Sequence, residues 1–191
     1  MTPRAGSPPR GAARAVLRAM DAVVRAMAYV AGALFLLVSF YVAADAIGRT
    51  FFHASSAVTD EFGGYALAVG GMFALAYTLR VGSHVRIDIL LPYLPLTLQI
   101  VLNYVAMAGM ALFSGLLALY TWRLALESLA TDARAMSFLR TPLFPMQALV
   151  ALGLTVLCLE ALVILAVGAV ESLRTRRLAP PEGFRAPPEM L

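Results

Sequence analysis

DEFGGYALAVGGMFALAYTLRVGSHVRID, residues Asp60–Asp88, decides the fold. It opens with two carboxylates, Asp60 and Glu61, carries no charge from Phe62 to Leu79, and closes on Arg80, His84, Arg86 and Asp88. As a helix, the uncharged run covers about 27 Å at ~1.5 Å per residue, close to the ~30 Å hydrocarbon core of a bilayer. The carboxylates are therefore expected at one membrane face and the basic cluster at the other. Within the run, Gly63, Ala66, Gly70 and Ala74 recur at intervals of three and four. That spacing lines small residues along one helix face, where a second backbone can approach closely. The stretch predicts a membrane span built to be packed against.

The rest of the chain agrees. It is 61% hydrophobic and 14% charged, against about 25% charged in soluble domains. Its 191 residues leave room for four spans and no large soluble domain. All fifteen basic residues are arginine. They fall at the edges of apolar runs, which membrane topology explains, so the basic pI of about 9.6 does not point to nucleic acid. The lone cysteine, Cys158, sits in an apolar run and excludes an internal disulfide.

Outward from that stretch, residues 1–10 (MTPRAGSPPR) read as a disordered tail. Over residues 11–25, Arg14, Arg18, Asp21 and Arg25 share one helix face, which predicts a basic amphipathic segment on the cytoplasmic surface or extending the first span. A membrane domain is expected over residues 26–173, with spans at about 26–48, 61–80, 93–122 and 142–170. The first apolar run is too long for a signal-peptide core, usually about 7–15 residues, and reads as an uncleaved span. Asp45 and Arg49, one turn apart with the acid first, are in the favourable order for a helix pair. Residues 123–141 read as a polar, partly helical connection, and 174–191 as a Pro/Arg-rich cytoplasmic tail.

Arginine counts set the orientation. With the amino terminus inside, the cytoplasmic segments hold eleven arginines and the external ones only Arg49, Arg123, Arg134 and Arg140. The fold class is thus all-α, four transmembrane helices with both termini inside and a basic amphipathic N-terminal segment.

Few residues offer chemistry. His53 and His84 fall on opposite sides of the membrane in this layout, so one haem cannot take both. His84 and Asp88 pair a base and a carboxylate at i, i+4, but no nucleophile motif or Cys/His cluster accompanies them. No catalytic residue, metal ligand or cofactor is expected. Glu160 stands out because it lies inside the fourth apolar run. A related Asp costs about 2.5–3.5 kcal/mol at such a depth, so the carboxylate must face protein or water, as a protonated or Arg-paired structural group at an interface or as a proton or cation relay. No inverted repeat or broken helix pair builds a substrate site at the midplane.

Glu61 after an outer loop, the glycine-rich span, and Leu79-Arg80 followed by His84-Val-Arg86-Ile-Asp88-Ile-Leu resemble the small membrane subunit of tripartite ATP-independent periplasmic (TRAP) transporters. The four-span layout and Thr141-Pro-Leu-Phe-Pro145 opening the last span look like that family too, over roughly Asp21–Leu173. The resemblance implies a bacterial inner-membrane protein in obligate complex with a large multi-spanning permease subunit. In such systems a periplasmic solute-binding protein delivers an organic acid, often a C4-dicarboxylate, and the permease moves it by sodium-driven symport in an elevator motion. The small subunit would enlarge the static scaffold. Glu61, Arg80, His84, Arg86, Asp88 and Glu160, with Asp45 and Arg49, are then expected to serve subunit docking or structural pairing, and none to bind substrate. Two other classes remain. A stand-alone transporter or channel would act as a homo-oligomer with Glu160 on its pathway, and a membrane anchor for a redox enzyme would need the cofactor ligands this sequence lacks.

Overall fold

The computed structural model describes residues 11–53, 58–82, 95–137 and 139–175. These form four helices, α1 (Gly11–Phe52), α2 (Thr59–Arg80), α3 (Leu96–Ala130) and α4 (Phe144–Thr175), and no strand. Each is long and apolar enough to cross a membrane, as the all-α four-span reading expects. The amphipathic stretch and the first span form one unbroken helix, α1. The tail at residues 1–10 and the chain beyond residue 175 lie outside the described residues.

Local chemistry explains the ends of α2. Asp60 and Glu61 occupy its first turn, where carboxylates complement the positive end of the helix dipole. Its last turn closes when Val81 N–H donates to Tyr77 O at 3.0 Å and Gly82 N–H to Leu79 O at 3.2 Å. Gly82 takes φ 74°, the left-handed conformation in which glycine ends helices without a side-chain clash. Helix α3 starts after Pro95, whose carbonyl accepts from Leu98 N–H and Gln99 N–H. It runs to Ala130, so Arg123 and Glu127, which read as part of a polar connection, sit on helix. At 42 and 35 residues, α1 and α3 are longer than a bilayer is thick and must tilt or project from it.

The helices pack as a row in the order α1, α2, α4, α3; α1 meets α4 only marginally. One apolar cluster runs through all four elements, with Val24, Ala76, Leu79, Met107, Ala111, Leu157, Ala161 and Ile164 buried. A second, of Met27, Ala31, Val69 and Phe73, joins α1 to α2. Beyond it α1 turns most of its surface outward, exposing Leu36, Leu37, Phe40, Ile47, Phe51 and Phe52.

Two close approaches fix the row. A Cβ at Gly153 of α4 would lie 2.9 Å from Met72 Cβ and 3.3 Å from the Met72 carbonyl carbon, so only glycine lets α4 rest on α2 there. At Gly70, a Cβ would meet the Phe35 ring of α1 at 3.0 Å. Gly63, Ala66 and Gly70 are buried and Ala74 is half-buried beside the Met27–Phe73 cluster. The small-residue stripe thus receives α1 at Gly70, whereas nothing lies within 4 Å of a Cβ built at Gly63.

Candidate functional site

The polar side chains collect where α2 ends. At the end nearer Thr59, Tyr65 Oη donates to Glu61 Oε1 at 3.0 Å, and Thr141 Oγ1 donates to the same oxygen. Tyr65 Oη and Thr141 Oγ1 are 3.2 Å apart. Glu61 and Tyr65 share a helix face because they are one turn apart. Thr141 is brought to them by a pinned connection, in which Ala135 N–H donates to Thr141 O at 2.9 Å and Leu143 N–H to Ala133 O at 3.1 Å. Asp132 and Arg140 hold the corners with φ 47° each, a conformation that costs a non-glycine residue about 1–2 kcal/mol.

At the other end, Arg80 gathers three helices. Its Nη1 donates to Glu160 Oε1 of α4 at 2.8 Å, its Nη2 to the Leu17 carbonyl of α1 at 3.3 Å, and its Nε lies 3.8 Å from Asp21 Oδ1. Asp21 also accepts from Arg25 Nη2 at 2.5 Å. Two carboxylates and two guanidiniums balance. Glu160 is completely buried, the condition under which a charge needs a partner, and Arg80 is that partner. In both clusters the second carboxylate oxygen, Glu61 Oε2 or Glu160 Oε2, is buried without a hydrogen-bond partner among the described residues.

Three residue pairs reveal one register. Glu61–Thr141 and Arg80–Glu160 each join residues 80 apart, and Gly153 rests against Phe73 at the same offset. α2 and α4 therefore run parallel and level along their shared length. Glu160, which reads from sequence as lying deep in the fourth apolar run, stands level with the charged end of α2 because α4 continues past it to Thr175.

Asp45 and Arg49 pair with each other at 2.8 Å on α1. His84, Arg86 and Asp88 lie outside the described residues. Sequence reasoning missed the cross-helix roles of Asp21, Tyr65 and Thr141; Asp21 looked like one member of a solvated face. Trp122 reads from sequence as an interface anchor, and its tie to another helix was missed: its Nε1–H donates to Thr155 Oγ1 at 3.0 Å and joins α3 to α4. Among the described residues no group of three or more His, Cys, Asp or Glu is placed to hold a metal.

A family model described as "Tripartite ATP-independent periplasmic transporters, DctQ component" matches residues 38–171, which include Glu61, Arg80, Thr141 and Glu160. No curated protein and no solved structure matches the chain.

Proposed function

Because this chain belongs to the DctQ component family of tripartite ATP-independent periplasmic transporters, a family of small permease subunits and not of enzymes, we propose that it scaffolds a large permease subunit for cation-driven uptake of an organic acid. A periplasmic binding protein delivers that acid in this reading. The chain lies in the bacterial inner membrane with both termini inside.

The observation that carries the proposal is the division of labour among the polar groups. Arg80 and Glu160 bond to each other across α2 and α4, and Glu61 bonds to Tyr65 and to the α3–α4 connection, all within this same chain. That favours structural pairing for Glu160 over a relay, since a relay carboxylate must be released to exchange its ion. The outward apolar half of α1 supplies a long surface on which a larger membrane subunit can pack by helix–helix contact. His84, Arg86 and Asp88, following α2 in sequence, are assigned to docking on that subunit.

Affinity purification of the tagged chain, expressed with its genomic neighbours in mild detergent, tests the reading. Recovery of a large polytopic permease in near-equal amount is expected. Recovery of this chain alone as a defined homo-oligomer would overturn it in favour of a stand-alone transporter.

A further inference from the structure

Between α1 and α2, where α2 ends at Arg80, lies a cleft lined by Asp21, Arg25, Ala28, Tyr29, Tyr77 and Arg80. The shortest span sets its depth. A hydrocarbon core of about 30 Å has to fit between the charges at Glu61 and Arg80, so this end of α2 marks one edge of it. Tyr77 lies about one turn before Arg80, and Tyr29 one turn beyond Arg25. Such positions belong to the headgroup zone, where tyrosine and arginine side chains anchor.

The polar inventory of the cleft is lopsided. Arg25 uses Nη2 on Asp21, which leaves Nε and Nη1 without an acceptor among the described residues. The hydroxyls of Tyr29 and Tyr77, both exposed, have no partner among them either. Among the described residues, the only carboxylate lining the cleft, Asp21, already faces both guanidiniums. Spare donors therefore outnumber acceptors, and the ligand that fits is one that only accepts. Arg18, exposed two turns from Arg25 on the same face, adds a positive charge beyond the balanced Asp21, Arg25, Arg80 and Glu160 set. At the membrane edge, basic hollows between spans hold lipid headgroups.

We propose that this cleft binds the phosphodiester of an anionic phospholipid, with Arg25 and the two tyrosine hydroxyls as donors. The lipid wedges between α1 and α2 and fills the cleft beside Arg80. The proposal rests on the chain spanning a bilayer and not on its having a permease partner, so it stands or falls separately from the scaffold reading.

The test uses the full chain in phosphatidylcholine nanodiscs doped with photoactivatable phosphatidylglycerol. Cross-linking followed by peptide mass spectrometry is expected to place the lipid on residues 21–29 and 77–81. Native mass spectrometry is expected to find phosphatidylglycerol enriched over its bulk share. Arg25→Gln should cut that enrichment about tenfold, the scale of one charge-assisted hydrogen bond. Tyr29→Phe/Tyr77→Phe removes only two hydroxyls, leaves apolar packing intact, and should cut it severalfold. Lipid attached indiscriminately over the apolar surface, or equal enrichment in these variants, would overturn the proposal. Displacement by soluble glycerol phosphate would replace it with a free-anion site. Cross-linking of the cleft to a co-purified permease in place of lipid would make it a protein contact.

Discussion

Arg80 of α2 donates to Glu160 of α4 at 2.8 Å, and Glu160 exposes none of its surface. Removing one partner of such a pair leaves the other desolvated and alone, which costs about 3–5 kcal/mol. Arg80→Ala is therefore expected to lower the melting temperature in detergent sharply. Glu160→Gln should cost less, because the amide oxygen still accepts from Arg80 and Arg80 keeps Asp21 nearby. The apolar double replacement Arg80→Met/Glu160→Leu should recover most of the loss. Arg80→Ala melting no lower than Glu160→Gln would refute this assignment.

Gly63 of α2 and Gly153 of α4 should respond to alanine with opposite signs. At Gly153 the new methyl of an alanine meets Met72 backbone and Cβ, so the helices must part, at about 1–3 kcal/mol. At Gly63 the methyl meets nothing within 4 Å, and alanine should stabilise the helix by about 0.5–1 kcal/mol. Thermal unfolding of both variants, side by side, checks the pair.

Glu61 holds the connection between α3 and α4 through Thr141. With Glu61→Ala, the amides of Ala135 and Leu143 should exchange hydrogen faster, because the bonded loop they close loses its anchor on α2. Tyr65→Phe keeps the Thr141 bond and should leave those amides close to wild type. Unchanged exchange in Glu61→Ala would show that the loop is pinned by its own backbone bonds alone.

Trp122 is the single tryptophan of the chain, so its fluorescence reports one place. Thr155→Val removes the oxygen that accepts its indole N–H at 3.0 Å. Its emission is expected to move to shorter wavelength, with a loss of about 1 kcal/mol in stability. An unshifted spectrum would place the indole away from α4.

The four spans were legible because length and charge are local properties: an uncharged run long enough to cross a bilayer shows itself without knowledge of its neighbours. The same reading named Arg80 and Glu160 as the residues to watch. It did not show that they meet, because that depends on α2 and α4 being parallel neighbours, and no local pattern encodes an offset of 80 residues. Asp21 was hidden for the same reason, since a carboxylate spaced to share a face with arginines is explained by solvent until Arg80 arrives from another helix. The end of α3 was less legible, because Arg123 and Glu127 mark a polar, partly helical connection without saying where its helix stops, and a helix that outruns the bilayer carries charge freely. Gly153 gave no warning at all. One glycine in an apolar run means a close approach only once the partner is known.

The common offset along α2 and α4 has a mechanical consequence. Sliding one helix past the other by a single turn, about 5.4 Å, would part Glu61 from Thr141 and Arg80 from Glu160 together, and would bring a side chain in place of Gly153 against Met72. No intermediate position keeps one contact while giving up another. The pair resists shear as a keyed joint does, and a neighbour that moves against it must carry the whole body along or glide past it.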